Sequence, residues 1–181
     1  MTGPEEADDG VRRADRLYAA RAAMDEIGQP VRRLGIADIV RFLGDPTRSL
    51  SIDEQRALFS DPQLRADFRR LKAQFAAVEL PTLAAASSGQ ANMRRFEGGT
   101  VNIHPSRVPG QTYVLMRFGS PAGVPPHSVL IEGSQGELIK RALPAADPNG
   151  EIMLVLDEKI PSDQDFLRLI SDPTSSGSFL A

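Results

Sequence analysis

Catalysis needs side chains that titrate, attack or coordinate, and this sequence is sparing with them. It holds two histidines, His104 and His127, and no cysteine. Without cysteine there are no disulfides, thiolate metal ligands or cysteine nucleophiles, and two histidines leave little scope for a zinc site. Each histidine has a serine nearby, Ser106 and Ser128. Proximity in sequence says nothing about the geometry a Ser–His pair requires, so a small hydrolase built on His104 or His127 is the weakest reading. Gly133-Ser134-Gln135-Gly136 lacks the spacing of a nucleophile elbow and is explained as a hairpin turn. Asp157-Glu158 falls at a strand end, where solvation accounts for both acids. Neither type of phosphate-binding glycine loop occurs. The expectation is a non-enzyme with no cofactor and no metal.

The totals agree with a globular chain. Its 181 residues are 41% hydrophobic and 25% charged, with a net charge of −3, enough for one ordinary domain or two small ones. No apolar run approaches the roughly 20 residues of a membrane span. The acidic start, MTGPEEADDG, is not a signal peptide, which leads to the expectation of a cytoplasmic protein. Residues 11–80 carry a net +3 and residues 81–181 a net −2, too little basicity for a nucleic-acid footprint.

The elements that would position any site divide into two kinds. Residues 1–10 read as a disordered acidic tail, and residues 11–80 as a helical domain. Its first helix runs over 11–27, with Val11, Leu17, Tyr18, Met24 and Ile27 as apolar positions, and Gly28-Gln29-Pro30 stops it. A short helix follows at 36–43. Ser51 and Glu54 have capping-box spacing at the head of a helix over 52–60. Asp61-Pro62 caps and starts a long helix over 62–78, on which Leu64, Phe68, Leu71, Phe75 and Val78 form one apolar stripe. Four helices with short, punctuated connections predict a small bundle.

Residues 81–99, rich in Pro, Ala, Ser and Gly, read as a linker. Arg94-Arg95 within it is a candidate site for a trypsin-like or arginine-specific protease, or simply keeps the linker soluble. From residue 100 the period becomes two. Strands are expected at 100–104, 111–118, 128–132, 136–143 and 151–156, with turn residues between them. Ser162 and the acids after it predict a short helix ending before Asp172-Pro173, and Phe179-Leu180 a last edge strand. The fold class expected is α+β: a small N-terminal four-helix bundle, then an antiparallel β-sandwich-like domain over 100–181 with one short helix.

Residues 36–78 resemble the zinc-finger-type anti-sigma domain of bacteria. The resemblance lies in Ala37-Asp38-Ile39-Val40-Arg41-Phe42-Leu43, in Leu50-Ser51-Ile52-Asp53-Glu54 and in Asp61-Pro62-Gln63-Leu64-Arg65. That family holds zinc with a histidine and two cysteines, and here those positions are Ala57, Asp61 and Leu64. The resemblance therefore implies a zinc-free version held by packing, without a thiol redox switch. It also lacks the membrane helix that many relatives carry, and the β half resembles no family.

What the resemblance implies is a cytoplasmic anti-sigma factor. It would bind an extracytoplasmic-function-type sigma factor and block its access to core RNA polymerase, with the β domain as sensor or docking module. Phe42, Leu71, Phe75, Val78, Leu80 and Leu83 are the candidate partner contacts, since large apolar groups dominate binding when buried in a partner. The competing assignment places them in the chain's own core. The alternative function is a non-catalytic adaptor or accessory subunit of a protease or defence complex, itself a possible substrate for regulated proteolysis at Arg94-Arg95.

Overall fold

Ser51 and Glu54 exchange the two bonds of a capping box. The Glu54 amide donates to Ser51 Oγ at 3.2 Å and the Ser51 amide to Glu54 Oε2 at 2.8 Å. Asp61 Oδ1 accepts from the amides of Gln63 and Leu64 at 2.8 and 3.2 Å, with Pro62 at the first helical position. These signals delimit α2 (Ile52–Ser60) and α3 (Pro62–Phe75), preceded by α1 (Ile36–Gly44). The structure is a computed structural model and describes residues 34–83, 92–119 and 125–181. The expected tail at 1–10, the helix at 11–27 and part of the linker at 81–99 lie outside the described residues.

After Phe75 the chain leaves the helix and continues as β1 (Ala76–Leu80). The other strands are β2 (Met93–Phe96), β3 (Gly99–Pro105), β4 (Gln111–Phe118), β5 (Ser128–Glu132), β6 (Leu138–Ala142), β7 (Glu151–Asp157) and β8 (Ser176–Leu180), with α4 (Pro161–Ser171) between β7 and β8. They form two four-stranded sheets, ordered β1-β8-β5-β6 and β2-β3-β4-β7, and every pairing is antiparallel.

One apolar cluster fills the space between the sheets. Leu80, Val129, Ile131 and Phe179 meet Phe96, Val101, Val114, Met116, Ile152 and Leu154 there, and Phe166, Leu169 and Ile170 of α4 join them. Phe96, Phe118 and Phe179 form an aromatic triad with centroids 4.9–5.5 Å apart. A second cluster lies on the other face of the first sheet. Ile39, Phe42, Leu43, Leu58 and Phe68 from α1–α3 pack on Leu130, Leu138 and Leu180 from β5, β6 and β8. The order of layers is helices, sheet, sheet.

This overturns the expected four-helix bundle. Among the described residues α1–α3 are short and build no core of their own, and two antiparallel sheets of four strands dominate. The apolar stripe of α3 faces a sheet, not other helices alone. Its expected last turn, including Val78, is strand, because β1 pairs with β8 across a register shift between Ala76 and Val78. Sheet pairing and the burial of Leu80 outweigh the helix preference of Ala76-Ala77. Part of the expected linker is strand β2. β8 is an interior strand between β1 and β5, not an edge. Pro161, not Ser162, opens α4.

Leu130 is fully buried on the helix-facing side of a strand whose neighbours Val129 and Ile131 face the other sheet. Leu130→Ala is expected to cost about 2–5 kcal/mol. Because the two cores share β5 and β8, the helical and strand signals in circular dichroism should be lost in one transition at the lower midpoint. Two separated transitions would show instead that the helical layer unfolds by itself.

Candidate interaction surface

The six apolar residues expected to meet a partner are distributed through the interior. Phe42 is buried, and Leu71 and Phe75 pack half-buried beside it under the helices. Leu80 is buried between the sheets and Val78 packs against the same cluster. Half-buried Leu83 donates its amide to the Pro173 carbonyl at 2.8 Å. The structure brings the first three together in one core and the next two in another, and forms no common exposed surface from them.

Arg94 and Arg95 point to opposite faces of β2, as strand alternation demands. Arg95 is exposed and Arg94 is fully buried. The Arg94 guanidinium donates Nη1 to Ser175 Oγ at 2.8 Å and to the Ile170 carbonyl at 3.4 Å. Its Nη2 donates to the carbonyls of Pro81 and Ser175, both at 2.6 Å. Burial pushes its pKa down, while Asp172 acts the other way. Arg94 therefore ties β2 to the end of β1 and to the C-terminal end of α4. A protease can reach this pair only if β2 first unpairs from β3.

The two histidines also separate. His104 is exposed on β3. His127 Nδ1 lies 3.1 Å from Ser128 Oγ, but Ser128 is fully buried, so its hydroxyl is out of reach of a substrate.

Lys140 was not singled out by the sequence. From β6 its ammonium reaches the carbonyls of Phe42 and, at 2.6 Å, Asp45, and it lies 4.3 Å above the Phe42 ring. A small cavity of about 170 Å³ beside it is lined by Phe42, Leu50, Gln55 and Ile139. Burial lowers Lys140 to about 8, with Asp45 pulling upward and Arg48 downward.

Among the described residues, exposed apolar side chains gather in two places, at Ile36, Val40 and Ile52 on α1 and α2 and on the outer face of the β2-β3-β4-β7 sheet. Register places Met93, Asn102, Leu115 and Met153 in one row across the four strands. His104, Tyr113 and Val155 form the neighbouring row, and Arg95, Thr100, Arg117 and Glu151 the row on the other side. Met93, Met153 and Val155 are 47%, 57% and 46% exposed, and Tyr113 and Leu115 are half-exposed. Arg117 Nε pairs with Glu151 at 2.6 Å at the rim. Methionines beside a tyrosine, bordered by charge, have the make-up of an adaptable contact surface. The signal was present in the sequence as Ile152-Met153-Leu154-Val155-Leu156, where both alternating sets are apolar.

Two consequences can be measured. Ser175→Ala removes one acceptor of Arg94 and the hydroxyl donor to the Leu169 carbonyl, and should cost about 1–3 kcal/mol in denaturant unfolding. For Lys140, the unfolded chain holds a proton between pH 8 and about 10.4 that the folded chain has released, so this group adds stability as pH rises through that window. The stability difference between the wild type and Lys140→Met should therefore move in favour of the wild type from pH 8 to 10. A pH-independent difference would show that the lysine titrates alike in both states.

No family model matches the chain, and comparison with curated proteins and with solved structures gives no match.

Proposed function

We propose that the chain is a non-catalytic protein-binding module, an adaptor or accessory subunit working in the cytoplasm, which takes its partner on the outer face of the β2-β3-β4-β7 sheet. The observation that carries this reading is the grouping of exposed Met93, Met153 and Val155 with half-exposed Leu115 and Tyr113 on one sheet face, where Asn102 is the polar member of the Met93–Met153 row. Monomeric proteins rarely leave such a face uncovered, and a polar rim is the usual border of a binding patch. The surface supports association through buried apolar contact, with Arg95, Arg117 and Glu151 setting orientation.

A second reading keeps the anti-sigma resemblance. Its support is that α1 and α2 leave Ile36, Val40 and Ile52 exposed, at 49%, 38% and 69%, within the segment that carries the resemblance. An extracytoplasmic-function-type sigma factor would then dock on the helical layer through these residues, while Phe42 and the α3 stripe hold that layer to its sheet. A regulatory protease is a further partner under either reading. Cleavage at Arg94-Arg95 would require β2 to be released first.

Co-expression with tagged candidates from adjacent genes separates the two. Leu115→Lys with Met153→Lys should reduce capture at least tenfold if the sheet face is the interface, and Val40→Asp with Ile52→Asp should leave it unchanged. The reverse pattern, with a sigma factor as the captured protein and its promoter activity restored, would establish the helical layer instead. Capture insensitive to both pairs would exclude both surfaces.

A further inference from the structure

Four strands end the two sheets, and three of these edges carry protection. β1 is interrupted by its register shift. β2 is four residues long and half arginine, and β6 is five residues long with Lys140 and Arg141. Short, bulged or charged edges resist further pairing. β7 differs, with seven residues and the run Ile152-Met153-Leu154-Val155-Leu156 in its middle.

Its hydrogen-bond phase can be read from its ends. The Phe118 amide donates to the Gly150 carbonyl at 3.1 Å and the Glu158 amide to the Gly110 carbonyl at 2.8 Å. Residues 150 and 158 thus bond toward β4, and antiparallel alternation turns residues 152, 154 and 156 the same way and residues 151, 153, 155 and 157 outward. The outermost of these are covered. The Glu151 amide donates to Asp147 Oδ1 at 2.8 Å and its carbonyl accepts from the Asp147 amide at 2.8 Å. The Asp157 amide donates to Asp163 Oδ2 at 2.9 Å and its carbonyl accepts from the Ile160 amide at 2.9 Å. Between these clasps, the N–H and C=O groups of Met153 and Val155 have no partner among the described residues, and both side chains are about half exposed.

We infer that an extended segment of another protein, with alternate apolar side chains and Lys or Arg at both ends, adds to β7 as a fifth strand of this sheet. The inference rests on the sheet face being the partner surface, and it names how that partner is held. Main-chain bonds to Met153 and Val155 supply affinity, and the apolar row beside them selects side chains. Charge decides the occupant. Of the carboxylates at the two ends, Glu151 is paired with Arg117 and Asp163 with Arg141. Asp147, Asp157 and Glu158 have no ion-pair partner among the described residues, though Glu158 accepts from the Thr112 hydroxyl, and Lys159 is the cation beyond them. A second copy fits poorly, because two-fold pairing about Leu154 sets Glu151 of one copy opposite Asp157 of the other, a like-charge contact.

The test uses fluorescein-labelled peptide KKTVTVTKK and the whole chain. Saturable anisotropy binding is expected, at least tenfold weaker for EETVTVTEE and for a KKTVTVTKK analogue N-methylated at alternate residues. Val155→Pro removes an outward N–H and no bond to β4, and should weaken binding at least tenfold. Hydrogen exchange at Met153 and Val155 should slow when peptide is bound. The inference is overturned if no peptide binds, if the acidic or N-methylated peptide binds equally well, or if sedimentation shows a dimer that Val155→Pro abolishes. If Val155→Pro fails to fold, the N-methylated peptide decides alone. Partner capture lost with Leu115→Lys and Met153→Lys but unaffected by Val155→Pro would leave the face reading standing and this one refuted. Capture unaffected by any of the three would refute the face reading itself.

Discussion

The central strands of the β1-β8-β5-β6 sheet, β8 and β5, are buried on both faces, and most of the architecture follows from that constraint. In β5, Val129 and Ile131 face the other sheet while Leu130 faces the helices. In β8, Phe179 and Leu180 divide the same way. An antiparallel sheet with one wet face shows apolar–polar alternation, and a strand covered on both sides cannot. Exposing either face would return a set of large aliphatic or aromatic groups to water, at roughly 1.5–3 kcal/mol for each. The helices are therefore a required layer of this sheet. Gly177 fits the same crowding, since a Cβ there would stand 2.8 Å from Ile131 Cδ1, between β8 and β5.

That constraint explains what the sequence made legible. Caps depend on neighbours three residues apart, so Ser51–Glu54 and Asp61-Pro62 identified α2 and the start of α3. Strands β4 and β7 were visible from their period. What a helix packs against is not local, and the stripe Leu64-Phe68-Leu71-Phe75 has the same spacing whether it meets helices or a sheet. The consecutive apolar residues Val129-Leu130-Ile131 and Phe179-Leu180 were the available sign of a doubly covered sheet. β2 was hidden because its arginines and the glycines after it have the composition of a linker. Its alternation, with Arg94 and Phe96 inward and Met93 and Arg95 outward, becomes recognisable only once Gly98, at φ +81°, is taken as a turn.

The positions where the resemblance would place zinc ligands sit within the same packing. Ala57 and Leu64 contact the cluster under the helices, and Asp61 is the exposed cap of α3. Buried Leu58 and Phe68 and the sheet residues Leu130 and Leu138 supply the cohesion. Apolar residues that a bundle could have offered to a partner are consumed in this way, while Met93, Met153 and Val155 stay exposed on the opposite side of the layered unit.

Two cations, buried Arg94 and half-buried Lys140, show how the layers keep their registry. From β2, Arg94 donates to the Ile170 carbonyl in the last turn of α4, and from β6, Lys140 donates to the carbonyls of Phe42 in the last turn of α1 and of Asp45 just beyond it. Each helix end leaves carbonyls without intrahelical partners and carries partial negative charge, so a cation from a neighbouring strand satisfies both needs. Neither cation lies in an optimal ion pair, and burial opposes the charged form of each. Apolar replacements could pack as densely but would fix no distance along the strand. A hydrogen-bonded charge resists slip, most strongly at Arg94, where a slipped helix would leave a fully buried guanidinium without acceptors. The cations thus select one placement of α1 and α4 among several that apolar packing alone would accept. The α4 placement they fix is the one that puts Asp163 against the Asp157 amide and ends the free edge of β7.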